Sequence, residues 1–598
     1  MKRIFIPNAL VCIMLFSCTA YEEAEVRSGE MQEVSGIQTR ASGSEDGYEH
    51  LPNPYSLEVM QAVYDTYSTS GVQLIPTDLY VRFLPQDSTQ LRLLYESGLE
   101  LFDYPLDVDL DENIPYMDST ALNGGFTWLY TTVKPDYVFP QGIRHEVIED
   151  CYVPEEGETI PQTRVGDIDV EEAAFLSLGY LDEEEGTLET RAQKVTPQGK
   201  ITMHDDFSNK DIPVKGVKVR GHRFVKYSTG YTDETGHYEL GSGFRHRLHY
   251  AIVFDNIMGF DIWGNYGPFA RANYNMGWHS KEGYNKNIPT SKKAWGWAAI
   301  NNAAYDYYKM CEQTGISKPP RNLKIWSFKS TSKSSAPMLR RLWHCIGFNS
   351  HSAWFSFFIN MGYGQLASEL NLLLKVFMPD ITIGLSHKKY NYIYNSTNHE
   401  LAHASHFSAV GSAYWAQYVS YIMTYGAYGN GTGKNAELCG IGEMWGYAMG
   451  YIQEREKLHS IIPTQYPYVT VDGWIHPQVF WDLYRGNILT KKQIYDCLRP
   501  TVRTYDALVS EMYGRYPEKA DSIEAKFLKY GITPDVPKPF ASFCDQTVTS
   551  SMTVTGTTVL ARNVTVTNGA TLTLIGKEGV TIRGPFVVAG NSGLEIRN

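Results

Sequence analysis

The stretch Asn398-His399-Glu400-Leu401-Ala402-His403 carries two histidines four positions apart, with a glutamate directly after the first. On a helix that spacing puts both imidazoles on one face, within reach of a single metal ion. It leaves Glu400 on the adjoining face, where a carboxylate can take a proton from water without being a ligand. Two histidines do not complete a site, so the pattern calls for a third ligand. ELCGIGEMWGYAMGYIQEREKL, beginning at Glu437, reads as a second helix with Asn435 as its cap, and it offers Glu437 and Glu443. These lie about 120° apart around a helix, so they cannot both face one ion. Glu443 is preceded by Gly440 and Gly442, small residues that let two helices approach closely, and is followed at helical spacing by Tyr447 and Tyr451. It is the favoured ligand. Glu437, in the first turn, complements the helix dipole and is the reserve. His406 falls near the stripe of His399 and His403, but three rings along nearly two turns span about 10 Å, too far for one ion. That leaves His406 a supporting or packing role.

The elements that must position these residues are legible around them. Thr397 and Glu400 fit a capping box that would start the histidine helix at Thr397. Ile381–Leu385 reads as a strand, preceded by the breakers Pro379 and Asp380, and delivers the chain to that helix. Ala294–Cys311 and Gly364–Phe377 carry apolar residues at helical spacing, and a further helix is expected from Ser412 to Met423. The loop YGAYGNGTGKN follows it and could line the cleft.

This layout resembles the zinc-dependent peptidases of the HExxH type. Metzincins require Gly and His where this chain has His406 and Ala409, and GTGKN lacks the aspartate of aspzincins. The gluzincins, which take a glutamate from a second helix, are the class it resembles over residues 280–530. The resemblance implies a Zn2+ ion held by His399, His403 and Glu443, with Glu400 as general base. It implies an oxyanion donor as well, for which Tyr447, Tyr451 and His476 are the candidates by type. The ExxGY sequence at Glu443 departs from the usual ExxA or ExxD ending, which leaves open what orients the histidines.

The chain has 598 residues, a net charge of −13 and no long basic run, which argues against nucleic-acid partners. Residues 1–18 read as a signal segment whose end, Leu15-Phe16-Ser17-Cys18, resembles a lipobox with Cys18 as the lipidation site. The acidic run after it resembles the export tag of Bacteroidetes surface lipoproteins, which implies a lipid anchor in the outer membrane or at the cell surface. Residues 19–49 read as a linker. Residues 50–155 resemble the N-terminal module of such lipoproteins, with a helix opened by Pro54, Asn53 as its cap, and short strands in TDLYVRFLPQD and LFDYPLDVDL. Residues 156–197 are a second linker. Residues 198–272 resemble a carboxypeptidase regulatory-like β-sandwich through Asp233, Gly236 and Tyr238 in a TDxxGxY pattern, with Asp233 as a turn residue. Residues 273–535 would be the α+β zincin-like domain, mainly helical in its C-terminal part, and 545–598 a β-rich tail of hairpin or solenoid type. Six cysteines outside the signal segment are scattered without a CxxC pair.

The expected function is a zinc-dependent endopeptidase acting on extracellular proteins or glycoproteins. The competing expectation is a non-catalytic adhesion or glycan-binding lipoprotein. No partner beyond the substrate and the membrane is indicated, and the sequence leaves the oligomeric state open.

Overall fold

The computed structural model describes residues 48–598, except 69–70, 111–115, 117–125, 156–157, 161–167, 181–192, 265–270, most positions between 365 and 377, and 459–472. The signal segment, Cys18 and most of the first linker fall outside the described residues, as does most of the expected helix Gly364–Phe377. The chain is of mixed α/β content with a β-rich C-terminal region. Residues 50–598 form one compact unit.

A helix, α1 (Leu57–Tyr67), opens the unit. Its cap is Ser56, whose Oγ accepts from the Val59 amide, whereas Asn53 closes the preceding turn by accepting from the Tyr55 amide. Asn53 lies too far upstream to reach a first-turn amide. Strand β1 (Asp78–Leu84) lies between β2 (Leu129–Val133) and β3 (Arg144–Cys151), with α2 (Ser88–Glu96) following β1. The LFDYPLDVDL stretch, expected as a strand, makes only isolated bridges, from Phe102 to Tyr130 and from Val108 to His50. It runs instead as a strap over the next sheet, with Phe102 and Tyr104 packed on His222 and the Leu110 carbonyl facing His249.

That next sheet is the centre of the molecule. Its seven strands are β16 (Ile381–Gly384), β15 (Leu323–Phe328), β12 (Phe260–Trp263), β11 (Leu248–Asn256), β8 (Val217–Arg223) and β9 (Lys226–Tyr231) in that order, with β13 (Asn273–His279) also on β11. The boundary expected between residues 272 and 273 therefore lies inside a single sheet. The reason is β12: its four residues are buried, as in the central strand of a sheet covered on both faces, and it pairs in parallel with β15. The TDxxGxY turn behaves as expected, since Asp233 Oδ1 accepts from the Thr235 and His237 amides and the Thr235 hydroxyl.

Helix α3 (Lys293–Thr314) is buried nearly all round, because Ala, Gly and Asn on its faces let it lie close to its neighbours. The short α4 (Leu339–Leu342) and α5 (His351–Asn360) follow β15. The outer edge of β16 is covered by a bridge from Ser335 to Thr382. Then come α6 (Tyr390–Tyr425), α7 (Ala436–Leu458), α8 (Gln478–Arg485), α9 (Lys491–Tyr495), α10 (Tyr505–Arg515) and α11 (Ala520–Lys529). Among the described residues no helix is long and apolar enough to cross a membrane.

The tail is a solenoid. Strands β17 (Lys538–Val548), β18 (Met552–Val566), β19 (Thr571–Val588) and β20 (Gly593–Arg597) pair in sequence order and always in parallel. Connections of three or four residues are too short for a crossover, so each strand must bend around to meet the next rung, and hairpins are ruled out. The tail has a core of its own, with Val559, Ala561, Val566 and Leu572 at its centre.

Candidate metal centre

The histidine helix starts earlier than its local sequence suggests. Thr397 lies in the middle of α6 and is fully buried; the first turn is at Tyr390, whose amide donates to Asp206 Oδ1 from the loop after β6 (Gln198–Asp205). The cap comes from far away in the chain, where no local motif could show it. Helical geometry is interrupted once, at Gly411, with φ 78° and ψ 175°. Fifteen residues of straight helix would separate His403 from Tyr418 by about 22 Å. Their rings lie 5.8 Å apart, so the break at Gly411 folds the second half of α6 back onto the first.

His399 and His403 point their Nε2 atoms at one another across 3.0 Å. Glu443 enters from α7, with one carboxylate oxygen 3.6 Å from His399 Nε2 and the other 3.6 Å from His403 Nε2. His399, Glu400 and His403 also each present one ligand-type atom within 4.8 Å of the others. All four residues are buried, Glu443 to 1% exposure. Glu443 Oε2 is buried without a hydrogen-bond partner among the described residues, as befits an atom that could bind an ion. Two imidazoles and a carboxylate form the donor set of a catalytic metal site that keeps a position open, so these residues fit a divalent ion.

The electrostatics separate the two glutamates. Burial pushes the Glu443 carboxyl up, but the His403 and His399 rings outweigh it and hold the group well below the usual carboxylate range. Burial, helped by the Glu443 carboxylate, pushes Glu400 well above that range, opposed by Lys388. Lys388, which lies on the chain just before α6, is itself pushed down by burial to about 8, with Glu400 pulling the other way; its Nζ donates to Ser396 Oγ at 3.0 Å. The surroundings thus push the two carboxyls in opposite directions.

Sequence reasoning missed Tyr418, Gly446, Tyr428 and Lys388. Tyr418 donates its hydroxyl proton to Glu443 Oε1, fixing the carboxylate from behind. Its role depends on the fold-back at Gly411 and has no signature in spacing. Gly446 is the glycine that allows the close approach: a Cβ there would lie 2.7 Å from His403 Nε2. Gly442 packs on Tyr418, and Gly440 faces Tyr505 and Trp474 on the other side of α7. The ExxG ending thus leaves room for the two rings in place of a side chain that would orient them.

The remaining candidates divide. Tyr447 is at the site, its ring edge-on to His399 at 4.3 Å and its hydroxyl 3.4 Å from that of Tyr428. Tyr451 packs on Trp481. Glu437 accepts from the Tyr505 amide at 2.6 Å and so caps α10, which takes it out of the ligand set. His476 stacks on Tyr530 and is not among the described residues lining the cleft. His406 is wholly buried against Tyr414 and Trp415, in a packing role. The six cysteines are free thiols.

The cleft over the site is walled by Ser334–Pro337, Phe357, Met361 and Tyr428 and has about 20 Å³ of free volume, room for one water-sized group. No family model, curated protein or solved structure matches the chain.

Proposed function

We propose that the chain is a zinc-dependent endopeptidase resembling the gluzincins, anchored by a lipid at Cys18 to the outer membrane or cell surface and acting on extracellular proteins or glycoproteins. The observation that carries the catalytic reading is the convergence of His399, His403 and Glu443 in a buried cleft, with Glu400 beside them. The anchor rests on the residues before Cys18 alone. In this reading His399, His403 and Glu443 hold the ion, and a bound zinc supplies Lewis acidity and lowers the pKa of water. Glu400 takes a proton from the attacking water and returns it to the leaving amine. Tyr418 holds Glu443 in its ligand orientation. The hydroxyls of Tyr428, which lines the cleft, and Tyr447, beside His399, are candidate donors for the oxyanion that develops on the substrate carbonyl. A peptide needs more space than one water, so substrate entry requires Tyr428 or the Ser334–Pro337 segment to move aside.

The test is metal content by mass spectrometry on the purified chain, alongside Glu443→Ala and Glu437→Ala. The proposal expects about one zinc per chain, lost with Glu443 and kept with Glu437, and peptidase turnover abolished by Glu400→Gln with zinc retained. A chain that takes up no zinc on reconstitution would instead be a non-catalytic binding lipoprotein with a packed histidine helix.

A further inference from the structure

A second cavity, of about 880 Å³, lies between α2 and the end of the central sheet where β12 and β15 begin. Its size is within the range of about 300–1,000 Å³ found for small-molecule sites. Neither the metal centre nor the peptidase reading uses it.

Its lining is unusual in being rich in charge with almost nothing left unpaired. Lys324 meets Asp261 at 2.5 Å, and Arg271 bridges Asp255 and Asp261 at 3.1 Å each. Arg340 reaches Asp380 at 3.1 Å, and at the mouth Arg92 faces Glu96 at 4.0 Å. An ionic ligand finds each of these charges already answered by an opposite one, so it gains little Coulomb attraction in return for its own desolvation. A neutral ligand with many hydroxyls needs no such exchange. The paired carboxylates keep spare lone pairs, and the Arg271 guanidinium gives only three of its N–H groups to Asp255 and Asp261.

Aromatic surface adjoins this polar floor. Trp343, half-buried at the end of α4, has its ring 5.1 Å from His351, and Tyr95 stands edge-on to Trp263 at 5.1 Å. A pyranose ring has one face of C–H groups and a rim of hydroxyls, so it can lie on an aromatic ring while its rim meets the charged pairs. A peptide fits less well. β12 is paired on both sides by β11 and β15, and β15 by β12 and β16, so the wall offers no free strand edge for a peptide backbone to join.

We infer that this cavity is a saccharide-binding site for neutral sugar rings, with Trp343 as the stacking surface and the Lys324–Asp261–Arg271 cluster as the hydroxyl-binding floor. The site stands on its own residues and holds whether or not the metal centre is catalytic.

The test is saturation-transfer NMR and titration calorimetry on the full folded chain, using lactose, cellobiose, N-acetyllactosamine and methyl mannoside as neutral probes and glucuronate and sialyllactose as charged ones. At least one neutral probe should bind with a Kd below about 10 mM, the weak end of specific binding. Trp343→Ala should weaken it about tenfold or more, and Trp343→Phe, which keeps an aromatic face, should stay within about threefold of the parent. An unchanged melting temperature and zinc content in both variants separates loss of the site from loss of the fold. The inference is overturned if no neutral probe binds, if only the charged probes bind, or if Trp343→Ala binds as the parent does.

Discussion

Gly446 and Tyr418 decide how the three proposed ligands meet, and neither belongs to that set. Alanine is the better helix former by about 1 kcal/mol, so Gly446→Ala should strengthen α7 if packing did not matter. Its Cβ would sit 2.7 Å from His403 Nε2, and that ring would have to turn away. We expect Gly446→Ala to keep its helical circular dichroism and bind zinc at least about tenfold more weakly, as changes around ligands do. Equal zinc affinity would show that the ring need not point where it does. Tyr418→Phe removes the hydroxyl that donates to Glu443 while keeping the ring on Trp415. Zinc affinity measured by competition with a chelator should fall about 10–100-fold, the usual cost of losing a partner that orients a ligand. An unchanged affinity would assign Tyr418 to packing alone.

At the scale of elements, the site is made by a break in a helix and by two helices lying close together. Gly411 takes a conformation open almost only to glycine, with nothing within 4 Å of where a Cβ would be. Gly411→Ala therefore tests backbone strain without a clash, and it should cost about 1–3 kcal/mol in urea unfolding. Because the fold-back is what brings Tyr418 to Glu443, zinc binding should weaken in parallel. A stability loss without any change in zinc affinity would separate the bend from the site. The two long helices are joined near their far ends by Glu454 of α7, which accepts from Asn391 at 3.0 Å and Asn395 at 2.7 Å on α6. The Trp445 indole donates to the Ala402 carbonyl nearer the centre. These bonds hold the register that lets Glu443 face two histidines.

For the molecule as a whole, the N-terminal strap is held to the central sheet over a pair of buried histidines. Burial pushes His222 well below its usual range, assisted by His249 and Arg220, and it pushes His249 down to about 4. Tyr104 lies 3.2 Å from His222 and the Leu110 carbonyl 3.3 Å from His249. Between pH 6.5 and about 4 the unfolded chain binds protons at these positions that the folded chain does not. Folding stability is therefore full above pH 6.5 and falls as the pH drops through that window, by up to about 1.4 kcal/mol per pH unit for each histidine. Urea unfolding measured from pH 7 to pH 5 should show this slope, and His249→Gln, neutral throughout, should lessen it by about one histidine's share. A slope that His249→Gln leaves untouched would place the acid sensitivity elsewhere.

Local chemistry was enough to find much of this protein in its sequence. The spacing of His399 and His403, the strand expected at Ile381–Leu385 and found at Ile381–Gly384, Glu443 on the next helix and the β-rich character of the tail depend on neighbours in the chain, and each was visible there. What needed the folded molecule were contacts between residues far apart in sequence. Asp206 caps a helix that begins at Tyr390, Glu437 caps α10 and so cannot be a ligand, and Tyr418 reaches Glu443 only because the chain turns back at Gly411. The seven-stranded sheet runs across the boundary expected at residue 272 for the same reason. Hydrophobic pattern shows that β12 is buried, but its partner β15 lies about sixty residues on, and strand pairing over such distances is decided by tertiary packing.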